Sequence, residues 1–155
     1  MGDEIILLSL IYGGEAMPLM TWKDDYSVHN EELDSHHKKL ISILNSLYAE
    51  CLDVDNKNCV GPKLDELLAY AEYHFKAEVE YMRRIDYFEV DEHIERHNNF
   101  AYKMGEMKRI PHENQLEQTK ELIVFIGKWF LHHVLDEDRK YAIYAAGRAA
   151  GTDSE

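Results

Sequence analysis

The chain has 155 residues, 45% of them apolar and 30% charged, which is one domain with material for a buried core. Lys+Arg 17 against Asp+Glu 30 gives a formal net charge of −13, which argues against nucleic acid or an anionic membrane as partner and fits a solvated acidic surface. The two cysteines, Cys51 and Cys59, make neither a CxxC pair nor a disulfide framework, so they read as reduced thiols in a cytoplasmic protein.

Residues 1–20 read as an N-terminal extension. An apolar run over 5–12 follows Asp3 and Glu4, without the basic start of a signal peptide. It is far shorter than the roughly 20 residues that span a bilayer. Three readings are open for it: a strand-like arm, a hydrophobic anchor on a partner, or a stretch upstream of the functional start.

The first helix is predicted over about residues 30–51. Leu33, His37, Leu40, Ile41, Leu44, Leu47, Tyr48 and Cys51 recur with the period of one buried face. The turn residues of 53–61 end it. His36 and His37 are adjacent, and His37 is the one in register with Leu33, Leu40 and Leu44; His36 falls toward the flank.

Pro62 suits the first turn of a second helix that runs to Arg84. Leu64, Leu67, Leu68, Ala71, His74, Phe75, Glu78, Val79 and Met82 form a nearly unbroken stripe. His74 and Glu78 lie inside that stripe. A glutamate on a core face is costly unless it is paired or bound to a metal.

A third helix is predicted over about 90–109, with Val90, His93, Ile94, His97, Ala101 and Met104 on its face and Pro111 in the turn after it. The fourth runs from about 114 to 146. Its apolar side carries Leu122, Ile126, Trp129, Phe130, His133, Val134, Tyr141 and Tyr144; His132 aligns with Glu121 and Lys128. Residues 147–155 read as a flexible tail. His29 and His112 fall in turns and read as solvated.

Four amphipathic helices with short connections imply an all-α, antiparallel up-down-up-down four-helix bundle over 21–146. Five histidines on four inward faces are too many to satisfy as ordinary core imidazoles, so His37, His74, Glu78, His93, His97 and His133 read as metal ligands. His74/Glu78 and His93/His97 have i, i+4 spacing, which puts each pair on one helix face. The set exceeds one tetrahedral ion and suits two adjacent metals. A further carboxylate comes from the acidic turn after His133. Asp138 is i+5, about 140° away around an α-helix. Glu137 is i+4 and better placed by pattern, and Asp136 is a third candidate, so periodicity does not choose.

With these residues in place, the chain resembles the hemerythrin family, in particular its single-domain bacterial members. The likeness rests on Asp34-Ser35-His36-His37-Lys38-Lys39-Leu40, His74-Phe75-Lys76-Ala77-Glu78, His93-Ile94-Glu95-Arg96-His97 and His133-Val134-Leu135-Asp136-Glu137-Asp138, and on a similar lead-in over 22–26. It covers about residues 22–141. The resemblance implies Asp138 as the seventh ligand, through the HxxxxD spacing. It implies two irons in the bundle core, one held by His93, His97 and His133 and the other by His37 and His74. Glu78, Asp138 and an oxo or hydroxo group would bridge them. It also implies reversible dioxygen binding for storage, transport or delivery by a protein that is not an enzyme, with dioxygen held as a hydroperoxide on the iron that has fewer histidines. Leu40, Phe75, Phe100, Trp129 and Leu135 are the expected pocket walls, from helix position. A sensing module acting through a protein partner is the alternative, motivated by the N-terminal run. Oxidase or peroxidase chemistry ranks below both.

Overall fold

The computed structural model describes residues 18–52, 60–109 and 115–152. The apolar run over 5–12, the Asp53/Asp55 loop with Cys59, the turn carrying Pro111 and His112, and residues 153–155 lie outside that set.

A one-turn 3₁₀ segment, Asp24–Tyr26, leads into α1 (Glu31–Leu52), α2 (Val60–Arg84), α3 (Val90–Arg109) and α4 (Gln115–His132). A π-helical segment, His133–Asp138, then joins α4 to α5 (Arg139–Thr152) in one rod. The architecture is the predicted four-helix bundle, and no strand occurs among the described residues. Two features differ from expectation. The fourth rod is interrupted by the π segment, and its helix continues to Thr152, past the boundary expected at 146. The alanines of 145–150 explain the second difference, because alanine is the best helix former and outweighs two glycines.

The first helix starts where its cap sits. The Asn30 side-chain oxygen accepts from the Leu33 backbone N–H at 3.1 Å, an N-cap bond to the third residue of the helix. Asp34 ties the lead-in to that first turn by accepting from the Ser27 hydroxyl at 2.6 Å and the Val28 N–H at 2.8 Å. Farther along, Asn45 clamps the Met20 backbone through both its N–H and its C=O.

The second helix ends on Asp86, whose φ of 53° is left-handed. Its N–H reaches Arg83 O at 3.1 Å and the Tyr87 N–H reaches Met82 O at 2.9 Å, a Schellman closure. Asp86 takes the place usual for glycine. The last helix pins this corner: Tyr144 Oη donates to Asp86 O and Arg148 to Ile85 O, both at 2.9 Å.

The interior is apolar in two clusters. The larger includes Leu40, Ile41, Leu44, Leu47, Leu67, Phe100, Met104, Ile126 and Phe130. The smaller holds Val28, Leu33, Met82, Tyr87, Tyr141 and Ala142. Between them along every helix comes a layer of imidazoles and carboxylates: His37 between Leu33 and Leu40, His74 and Glu78 between Ala71 and Met82, His133 and Asp138 between Phe130 and Tyr141. None of the described helices is long and apolar enough to cross a membrane.

Truncating Leu47, which has no exposed surface, to alanine should cost about 2–5 kcal/mol by leaving a cavity, whereas Asn30→Ala should cost about 1 kcal/mol by removing a cap. Urea denaturation of the two variants checks the ranking.

Candidate metal centre

The i, i+4 pairs behave as the helix period requires. His74 and Glu78 project from one face of α2, and His93 and His97 from one face of α3; all four are buried. His37 comes from α1 with no exposed surface, as its register with Leu33 and Leu40 predicts. His133 is buried and its neighbour His132 is exposed, so periodicity chose correctly between them.

His36 departs from a simple flank position. It is only 6% exposed, enclosed by the rings of Tyr70, Tyr73 and His74 at 6.0, 4.9 and 5.8 Å. Two adjacent helical residues can both be buried when one faces the bundle axis and the other a neighbouring helix, here α2.

The π segment determines which acidic side chain turns into the buried cluster. Bonding from i to i+5 spreads one turn over an extra residue, which brings the fifth residue nearly back to the column of the first. Asp138 therefore turns inward and is fully buried. Glu137, the better candidate on α-helical spacing, turns aside and bonds Arg96 Nε at 2.8 Å and Lys140 Nζ at 2.9 Å. Asp136 is exposed and pairs with His132 at 2.5 Å.

Two overlapping sets of donor atoms result, each lying within 4.8 Å of one another: Glu78, His93, His97 and His133, and His37, His74, Glu78 and Asp138. One Glu78 oxygen, Oε2, stands 3.1 Å from His97 Nε2, 3.2 Å from His93 Nε2, 3.8 Å from His74 Nε2 and 3.9 Å from His133 Nε2. Asp138 divides its oxygens. Oδ2 is 3.3 Å from His37 Nε2, and Oδ1 is 3.1 Å from His133 Nε2 and 3.4 Å from His93 Nε2.

These distances fit metal ions better than a hydrogen-bond network. His37 Nε2 and both Asp138 oxygens are buried without a hydrogen-bond partner. Buried orphans of this kind are rare and costly. His97 Nε2 and His133 Nε2 face each other at 2.9 Å. Two imidazoles sharing one ion at about 2.1 Å, near a right angle, would stand about 3.0 Å apart. The donors are nitrogen and oxygen without thiolate, which suits iron, zinc, copper or manganese.

Electrostatics agree. Burial lowers the imidazoles of His37, His74 and His97, and takes His133 down to about 4, so these four are neutral at neutral pH. Burial works most strongly against a charged His93, but the hydrogen bond to Glu78 and the charges of Glu78 and Asp138 together outweigh it and raise the imidazole. Burial pushes Glu78 up, yet the surrounding imidazoles, His74 foremost, hold it well below the usual carboxylate range. Burial and the charge on Glu78 hold Asp138 well above that range. The two carboxylates thus resist ionising together until a cation joins them.

Tyr141 was anticipated only as an apolar-side residue. Its hydroxyl donates to Glu78 Oε1 at 2.6 Å, so the oxygen of Glu78 that does not face the imidazoles is also fixed. Burial and the two carboxylates keep that hydroxyl protonated. Its position three residues after Asp138 on the buried side was the available signal. Aromatic rings brace the imidazoles from outside. Phe75 stacks on His97 at 3.7 Å and Trp129 on His133 at 4.4 Å.

A cavity of about 20 Å³, counted as space open to the centre of a water-sized sphere, adjoins His74 and His133. That is room for about one small molecule. Leu40, Phe75, Phe100 and Trp129 line it as expected. Leu135 does not; it packs half-buried on the larger cluster, and Val134 takes the wall position. The π segment shifts the columns on which the α-helical expectation for Leu135 rested.

The model of the hemerythrin HHE cation binding domain matches residues 28–144. A bacteriohemerythrin from Clostridium acetobutylicum is 30% identical over 128 residues, 79% of this chain and 98% of that protein. A myohemerythrin from Theromyzon tessulatum is 26% identical over 120 residues, 77% and 88% of the two chains. A crystal structure of wild-type hemerythrin superposes with a TM-score of 0.68 at 23% identity, covering 80% of this chain and 95% of that one, which shows a shared fold. The matching family and the buried cluster together support a non-haem iron site.

In the metal-free protein the burial of these imidazoles ties stability to pH. Below about 6.5 the unfolded chain protonates His37, His74, His97 and His133, which the folded chain resists, so stability present above pH 6.5 is lost as pH falls toward about 4. His93 and Asp138 are shifted the other way and offset part of this. Denaturant midpoints of metal-free protein should be lower at pH 5 than at pH 7; His133 alone contributes about 2 kcal/mol over that interval. An equal or higher midpoint at pH 5 would contradict the electrostatic account.

Proposed function

Because this chain belongs to the hemerythrin family, we propose that it binds dioxygen reversibly at a di-iron centre, for oxygen storage, transport or delivery. In this reading His93, His97 and His133 hold one iron and His37 and His74 the other. Glu78 and Asp138 would supply the carboxylate donors between them. The observation that carries it is the asymmetry of the donors beside the cavity. Three imidazoles converge on one side and two on the other, and the apolar cavity borders one imidazole of each, His133 and His74.

Reduced iron supplies the affinity for dioxygen. The protein supplies the conditions under which binding stays reversible. Neutral imidazoles add no negative charge, which disfavours strongly oxidising chemistry. Leu40, Phe75, Phe100, Trp129 and Phe130 enclose the cavity with hydrocarbon, so water and protons are kept from the bound gas. Tyr141 holds Glu78 in place and keeps its proton. Members of the family are oxygen-binding proteins rather than enzymes, and we assign this chain the same character, in the cytoplasm.

Reduced, iron-loaded protein exposed to dioxygen should develop visible charge-transfer absorption that disappears under argon, and His74→Ala should abolish the change. Irreversible oxidation with no species that reverses under argon would refute reversible carriage.

A further inference from the structure

Two voids lie on either side of one side chain. The first is the small cavity beside His74 and His133. The second is a surface groove of about 640 Å³ between α2 and α3. Leu68, Ala71, Phe75 and Val79 line it from α2, and Ile94, His97, Ala101 and Gly105 from α3. Ala101 and Gly105 keep the helices from filling the gap; a Cβ built on Gly105 would meet nothing within 4 Å. Among the described residues, only Ala71, Phe75 and Phe100 belong to the walls of both voids. Ala71 is too small to seal anything, and Phe100 is fully packed at 4% exposure. Phe75 is half-buried, with one side toward the groove.

The surroundings of Phe75 define a closed position. Its ring stacks on His97 at 3.7 Å and 10°. Phe100 and Trp129 meet it edge-on at 6.0 and 5.7 Å. A half-buried ring bordering an open groove has free space on one side into which it can turn, and side-chain rotamer changes toward solvent are among the fast motions of a protein.

We propose that Phe75 is the gate between the α2–α3 groove and the metal-side cavity, and that it sets which molecules reach the iron and how fast. Closed, it keeps bulk water and anions of the groove away from the ligands. Turned into the groove, it opens a passage for a diatomic gas or a similarly slender molecule. The charged rim of the groove, Glu72, Lys76, Glu80 and Arg83, keeps that outer vestibule wet, so the ring is also the boundary between wet and dry. This proposal rests on the dioxygen reading for its physiological ligand, but the passage can be tested without dioxygen.

The test is the association rate of azide with the diferric protein, followed in its charge-transfer band, for wild type, Phe75→Ala, Phe75→Trp and Leu44→Ala. Leu44 lines the cavity but not the groove, so its truncation adds volume without opening the passage. Phe75→Ala should speed association about tenfold and Phe75→Trp slow it by a similar factor, with Leu44→Ala within about twofold of wild type. Shifts of the Ile126 methyl groups under dissolved xenon read access to the same cavity without the metal taking part, and should exchange faster in Phe75→Ala. Rates within twofold of wild type in both Phe75 variants, or acceleration by Leu44→Ala equal to that of Phe75→Ala, would overturn the gate. Failure of the dioxygen reading shows separately, as reduced wild type that does not respond to dioxygen while azide rates still follow Phe75.

Discussion

Seven ionisable side chains packed in one layer between two apolar clusters are the constraint on which this molecule is built. Burying a carboxylate or an imidazolium without compensation costs several kcal/mol, and the layer has two of the first and five potential examples of the second. The imidazoles escape by staying neutral, and four of them are held so by burial. The carboxylates cannot both escape: Glu78 stays ionised among the rings and Asp138 is driven toward its neutral form. A pair of cations removes the conflict. They would neutralise both carboxylates, occupy the lone pairs that face one another, and crosslink the helices that contribute them. Metal binding at such a layer is coupled to folding.

That constraint explains local features that otherwise look like defects. A π segment loses regular α-helical geometry, yet it is what turns Asp138 inward and frees Glu137 to pair with Arg96 and Lys140. The left-handed Asp86 closes α2 tightly, and Tyr144 and Arg148 of α5 fasten that corner. The fastening draws α5 against α2 at the end of the bundle where Tyr141 reaches Glu78. The aromatic rings stacked on His97 and His133 fix the tilt of the imidazoles and at the same time form the dry wall of the cavity.

Much of this was legible in the sequence because helical period and burial are coupled. His37 rather than His36, and His133 rather than His132, followed from register with leucines and isoleucines one or two turns away. The bundle followed from four stripes and short connections. Two of the things periodicity missed share one cause. Asp138 against Glu137, and Val134 against Leu135 in the cavity wall, both depend on a change of helical pitch that a fixed 100° per residue does not register. Resemblance supplied the Asp138 assignment through spacing alone; the structure supplies its reason. The burial of His36 was missed for a different reason. One helix has one apolar face on a wheel but several neighbours in a bundle, and α2 covers the flank of α1.

On this reading one set of seven side chains would hold two metal ions in unequal surroundings. Mössbauer spectroscopy of protein loaded with ⁵⁷Fe, alongside iron counted per chain, tests it most directly. Two irons per chain and two quadrupole doublets of equal area are expected, one for the three-imidazole side and one for the two-imidazole side. A single metal ion per chain, or zinc in place of iron after purification from iron-replete cells, would contradict it.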